Sequence, residues 1–443
     1  MKSPVARGGA VLVALVFLAL AFRLFRLTAE YAVNIFFWDQ WDFNDATVFS
    51  PHSLWQIFRF QHGPHRQGLG GLLAALVDPI FRWNTRSEAF VATALVVVAG
   101  LFMLYLKCRL LGPLTWTDVA IPMLVFTPAQ WEPVWTTVNF AHGTLPVLLI
   151  VLYCLTWTWT DERARYALMT ALNFGILYTG LGLIVGLLTP VLLLAQYRGG
   201  KSPGMKKYLL TCTALSIASL ASFFVSYKNQ DASGCTSIFS SAPLEYGRFF
   251  FLLFATPFGI RGTGWMATLA GGLVLLAVAA IAAVSWKTVL SRAEVRALPI
   301  VQATLSAYML IFCAAAAIGR TCTSLQDAHT SRYGNYRQLL VLCLFFGALA
   351  LPRPRWRAVA PLLVLLLIPS LFLTQADAGE MIEDYQLKSG WRDCYLGGKS
   401  IAECDDTEGL IYPDPQLTHL QQKLDYLRAK RLNLFDHAPE VRR

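Results

Sequence analysis

Apolar runs near the length needed to cross a bilayer recur from residue 9 to residue 374, separated by short hydrophilic breaks. A helix crosses the hydrocarbon layer in ~20 residues. The pattern predicts about eleven spans, near 8–27, 88–106, 117–131, 138–158, 167–180, 182–197, 208–226, 266–286, 298–317, 335–351 and 358–374. The third, fifth and sixth are short and broken by Pro or Gly, which membranes tolerate where a polar cavity is lined. Between spans the periodicity predicts surface helices. In the segment 28–87, Leu54, Ile57 and Phe58 fall at helical spacing. Beyond "HGP", Leu69, Leu72, Leu73, Leu76 and Ile80 repeat at i, i+3, i+4 with Asp78 opposite. Two interfacial helices are expected there, Pro64 opening the second. The stretch "EYGRFFFLLFATPFGI" (245–260) reads as lying along the membrane or dipping into it. Leu417, Leu420, Leu424 and Leu427 stripe a last helix. The fold expected is an all-α polytopic membrane domain over 1–374, with a small outer cap over 375–443.

Composition narrows the class. Apolar residues are 56% of the chain and charged ones 14%, against ~25% charged in soluble domains, so a soluble core is excluded. The net charge of +10 does not require a nucleic-acid partner. Its cations cluster in short breaks: Lys107/Arg109, Arg163/Arg165, Arg198/Lys201/Lys206/Lys207, Lys287/Arg292/Arg296 and Arg353/Arg355/Arg357. The positive-inside rule places these, and the N-terminus after Lys2 and Arg7, in the cytoplasm. No A-x-A-like site follows the first run, and Arg23 and Arg26 interrupt its end, which argues against a cleaved leader. An odd number of spans puts the C-terminus outside, together with 28–87, 227–265 and 318–334. Of nine cysteines, Cys154, Cys212, Cys313, Cys343 and Cys108 read as thiols. Cys235, Cys322, Cys394 and Cys404 fall outside, where disulfides persist. Cys394–Cys404 closes a short loop, and Cys235–Cys322 would tie two outer loops.

The polar chemistry gathers on that outer side. "NIFFWDQWDFND" (34–45) sets Asp39, Asp42 and Asp45 among aromatic rings at a bilayer boundary, a costly place for carboxylates unless they are paired, wet or working. If helical, Asp39 and Asp42 share one face and Trp38 and Trp41 the neighbouring one. A carboxylate shielded by indoles suits a general base; an aromatic belt with Asp39 as helix cap is the plainer alternative. His62, His65 and Arg66 of "FQHGPHRQ" could hold phosphate or sugar hydroxyls, or meet lipid headgroups. Two histidines without a third clear ligand do not indicate a metal, and no CxxC or HExxH occurs. Glu132 and His142 border the third and fourth spans. Arg320, Arg332, Tyr333 and Arg337 run against the positive-inside trend, and a guanidinium fork suits phosphate.

An Asp-bearing first outer loop, two interfacial helices after it, many spans and outer arginines resemble the membrane-embedded GT-C glycosyltransferase superfamily. "WDQWDF", "HGPHR" before an amphipathic helix, "SRY", and the tail from Cys394 to Cys404 with "YPDP" and "RLNLF" resemble uncharacterised bacterial multispan proteins placed near it. The adjacent acid pair common in the superfamily is missing, so the base stays open between Asp39 and Asp42. The resemblance implies sugar transfer from a polyprenyl-phosphate donor to a glycan, lipid or protein acceptor at the outer face of the bacterial inner membrane; no nucleotide fingerprint or P-loop occurs, so no cofactor is expected. Trp38 and Trp41 would offer faces for a sugar ring, and Arg332, with Arg320 or Arg337, would hold the leaving phosphate. A lipid-linked glycan ligase or polymerase would place its main soluble loop late in the chain. A transporter or flippase would need ionisable residues at mid-bilayer. A non-catalytic scaffold is the remaining alternative.

Overall fold

A computed structural model describes residues 4–50, 52–199, 202–228, 243–291, 296–352, 359–412 and 419–436. Among them the chain is almost wholly helical; the strands Gln61–His62 and His65–Arg66 form one antiparallel hairpin. Five runs are long and apolar enough to cross a membrane: Gly8–Tyr31, Thr85–Leu111, Trp265–Ser291, Ala297–Arg320 and Val359–Leu396. Leu15, Leu18 and Phe22 on the first, and Leu269, Leu273 and Leu276 on the third, point outward. Apolar side chains facing away from the protein suit a lipid solvent, and the protein is an all-α membrane protein. The other expected spans are also helical but shorter, broken or less apolar: Thr144–Thr156, Glu162–Leu177, Leu183–Tyr197, Pro203–Phe223 and Gly334–Leu349. The helix Pro243–Ala255 has 13 residues, about 20 Å of rise, too short to span.

The expected break in the third span is real, and its cause is proline. Ala120–Val125 is α-helical, Pro128–Gln130 a 3-10 turn and Glu132–Thr136 a π turn. Pro128 and Pro133 remove donors and cannot continue a regular helix. A side-chain amide takes up the freed carbonyls: Gln130 Nε2 donates to Val125 O at 2.6 Å and to Thr127 O at 3.1 Å, and Gln338 Nε2 in turn holds Gln130 Oε1 at 2.8 Å. The break swings Glu132 toward the loop before Gly334.

In the segment 28–87, Leu54–Arg59 is a helix opened by a Ser53/Gln56 capping box. The second surface helix is Gly68–Val77. Pro64 does not open it, as the sequence suggested. It sits in the hairpin turn between His62 and His65, after Gly63 at φ +55°. A left-handed Gly followed by Pro is the sign pattern of a type II′ turn, which closes a hairpin more tightly than a helix start would. Gly70 is forced by crowding: a Cβ there would lie 2.3 Å from Ala141 Cα.

The tail is less separate than a cap. Its helices Gln375–Leu396, Ile401–Glu408 and Leu420–Lys430 share one hydrophobic core with Val33, Phe36, Phe37 and Trp41, through Trp391, Tyr395, Leu424 and Leu427. Cys394–Cys404 is a disulfide. Cys322 is disulfide-bonded as well; Cys235, its expected partner, lies outside the described residues. Cys108, Cys154, Cys212, Cys313 and Cys343 are thiols.

Candidate active site

The acid-rich stretch makes a single helical turn, Gln40–Phe43, with Asp39 at its N-cap position. Asp39 makes no side-chain cap bond there, so capping does not account for it. The turn is anchored from below. Gln40 accepts from Phe37 N at 3.1 Å and donates to Val138 O at 3.1 Å. Trp41 is 0% exposed and belongs to the core shared with the tail. Anchoring one face leaves Asp39 and Asp42 on the other. Trp38 is exposed, with a left-handed backbone at φ +50°. A tryptophan rarely adopts that conformation without being held in it; Trp38 N donates to Ile411 O at 2.9 Å.

Three other segments meet these acids. The hairpin pairs His62 with His65 and sets His62 Nε2 3.8 Å from Asp39 Oδ2. His65 packs edge-on against His142 with centroids 4.7 Å apart, and Phe43 packs in the same way on His62 at 4.7 Å. From the tail, the Tyr412 hydroxyl donates to Asp42 Oδ2 at 3.2 Å. Lys423 pairs with Asp45 at 2.9 Å and donates to Trp41 O at 3.1 Å. Asp45 is therefore a structural tie.

The late arginines close the ring. Arg332 Nη2 lies 3.2 Å from Glu132 Oε1. Glu132 Oε2 accepts from Arg332 N at 3.2 Å and from Ser331 Oγ at 3.3 Å. This clamp fixes the guanidinium, and the Glu132 charge raises its basicity further against the effect of burial. Arg320 lies close enough to Tyr333 for its charge to act on the phenol. The charges of both Arg332 and Arg320 act on Asp39. Residues separated by nearly 300 positions thus share one electrostatic site.

Their environments drive the two acids apart. Burial pushes the Asp42 carboxyl above the usual range, against the charges of His62 and Lys423 and the Tyr412 hydrogen bond; Asp39 adds to the rise. Burial acts on Asp39 in the same direction but is overcome by His62 beside it and by the charges of Arg332 and Arg320, so Asp39 lies below the usual range. Burial brings His65 down to about 4, so it is neutral at pH 7. Two acids with split affinities for protons are a common basis for dividing acid–base roles. Ligand atoms of Asp39, Asp42 and His62 lie within 4.8 Å of one another, a set that a divalent cation could bridge.

Not every expected residue joins the group. Trp41 is core and presents no face to a ligand. Arg66 is 2% exposed; it donates to Phe223 O, Arg59 O and Val225 O, so it ties backbone together. Arg337 is 3% exposed and turns toward a different cleft, with Arg261 and Asp377. Sequence reasoning missed Tyr412; its place as the aromatic that opens "YPDP" was its only signal. Comparison with family models, with curated proteins and with solved structures gives no match to this chain.

Proposed function

We propose that this membrane protein transfers one sugar from a polyprenyl-phosphate carrier to an acceptor hydroxyl on a glycan, lipid or protein. The observation that carries the proposal is the shared site: Asp39 feels the charges of Arg332 and Arg320 while Asp42 lies one helical turn away. A base and a fixed cation at one hollow are what such a displacement needs. The acceptor oxygen bonds to the anomeric carbon as the bond from that carbon to the phosphate oxygen breaks. The acceptor proton passes to Asp42, the more basic carboxylate. The electron pair leaves with the lipid phosphate, whose charge Arg332 and Arg320 stabilise. Asp39 stays ionised and orients His62. The proposal includes a GT-C-like architecture with about eleven crossings, a cytoplasmic N-terminus, and the site on the periplasmic face of the bacterial inner membrane.

The test incubates full-length protein with polyprenyl-phosphate-linked sugars and an envelope extract as acceptor, comparing wild type with Asp42→Asn and Asp39→Asn. Transfer by wild type and its loss in Asp42→Asn are expected. Equal transfer by all three would remove the base assignment, and transfer only from pyrophosphate-linked donors would favour the ligase reading.

A further inference from the structure

A second charged cleft lies apart from Asp39, between the start of Gly334–Leu349 and the start of Gln375–Leu396. It is lined by Thr256, Arg261, Gly334, Arg337, Phe372 and Asp377 among others. Arg261 Nη2 lies 3.0 Å from Asp377 Oδ2, and that oxygen also accepts from Thr374 Oγ1 at 2.8 Å. The one carboxylate in the cleft is thus already taken. Arg337 has no such partner among the described residues. Its Nη2 donates to Thr330 O, while its Nε and Nη1, and Nε of Arg261, are buried without an acceptor. Glu380 acts on Arg261 but is absent from the groups that act on Arg337, which are Arg261, Asp377, Cys313 and Tyr333.

A carboxyl or imidazole in this position could shed its charge. A guanidinium cannot. A buried cation with two empty donors, facing a second guanidinium and the amino end of a helix, is costly until an anion arrives. We propose that this cleft binds a phosphate group. Donors converge from two arginines and a helix start, an arrangement that serves the several oxygens of a tetrahedral oxyanion better than the two of a planar carboxylate. The mouth favours a phosphate carried by a membrane amphiphile: Phe372 is 64% exposed, and Leu365, Leu366 and Ile368 beside it are exposed too. The acyl chains would lie against this apolar strip with the headgroup turned inward. The site does not depend on the sugar-transfer reading. Thr330 links the two regions, since its carbonyl holds Arg337 and its hydroxyl donates to Glu132, the partner of Arg332.

The test uses full-length protein in a neutral detergent. Native mass spectrometry counts bound dioleoyl phosphatidic acid, with phosphatidylcholine as control, and thermal unfolding is followed with and without inorganic phosphate at matched ionic strength. Wild type should retain one phosphatidic acid in preference to phosphatidylcholine. Arg337→Gln should weaken retention by about tenfold or more, as expected for loss of a charged hydrogen bond, yet unfold no earlier than wild type when no phosphate is present. Arg332→Gln should retain the lipid. Stabilisation by inorganic phosphate without lipid retention would support the site with free phosphate as its ligand. If Arg337→Gln fails to fold, Asp377→Asn decides, because removing the competing carboxylate should tighten binding. Equal retention by Arg337→Gln, loss in Arg332→Gln, no tightening in Asp377→Asn, or no response of wild type to either ligand would overturn the proposal.

Discussion

Two regions of this protein bring unlike charges together, and they do so differently. Lys107 and Asp118 are fully buried, with Nζ 2.7 Å from Oδ2. Lys107 also donates to Pro113 O at 2.7 Å, and Asp118 also accepts from Thr115 N at 2.6 Å. Both groups come from neighbouring stretches of chain. On the acid side of the molecule, Asp39, Asp42, His62, Glu132, Arg320 and Arg332 arrive from distant stretches, and the closest approach between Asp39 and His62 is 3.8 Å. Asp39 and Arg332 are 57% and 48% exposed at the side chain. Charges closed onto one another hold a fold together, and their removal is felt as stability. Charges left partly exposed and not closed onto one another, as Asp39 is with His62, are placed for a third party, and their removal should be felt as function.

The sharpest way to break that contrast is Asp42→Asn. Sugar transfer should fall on the order of 10²–10⁴-fold, the usual contribution of a positioned base, with the unfolding midpoint unchanged. Lys107→Met should do the opposite: leaving Asp118 buried and unpaired costs about 3–5 kcal/mol, read by chemical unfolding in detergent, with the surviving fraction transferring sugar at the normal rate. Cys404→Ser removes the tie that closes a ten-residue separation in the tail and should cost about 2–3 kcal/mol. Tyr412 should then disengage from Asp42, so this variant loses activity and stability together. The smallest effect concerns pH. A base works ionised, and the Asp42 carboxyl is raised, so activity should be full above its pKa and fall as pH drops through it, at higher pH than for an ordinary carboxylate near ~3.9. Asp39→Asn removes a charge that raises Asp42 and should move this acid limb to lower pH; Tyr412→Phe removes a hydrogen bond that lowers it and should move the limb to higher pH. A pH–rate profile of the three proteins checks both signs.

Much of the helical layout is legible in the pattern of apolar residues, because span-length runs and prolines act locally. The breaks at Pro128 and Pro133 are of this kind. Pro64 is not, since both a helix start and a hairpin turn accept it, and Gly63 decides between them. That Arg332 acts on Asp39 matches the expectation drawn from arginines set apart from the other cation clusters, a signal present in the chain itself. What each polar residue faces is another matter. Trp41 and Trp38 look equivalent three positions apart, yet the tail covers one of them, and no local pattern announces the tail. Arg66 and Arg337 carry the same charge as Arg332, but carbonyls of distant helix ends or a second cleft claim them. Asp78, placed by periodicity on a polar face, is instead 2% exposed and lines a cavity with Glu88.

The central claim is that the early acids and the late guanidiniums address the same lipid phosphate. Binding of polyprenyl phosphate, the released carrier, to wild type, Asp39→Asn and Arg332→Gln measures it directly. The predicted result is opposite signs: Arg332→Gln weakens binding by about tenfold or more through the lost charge-assisted contact, and Asp39→Asn tightens it by removing a repelling carboxylate. Affinities that move in the same direction, or do not move at all, would contradict the account.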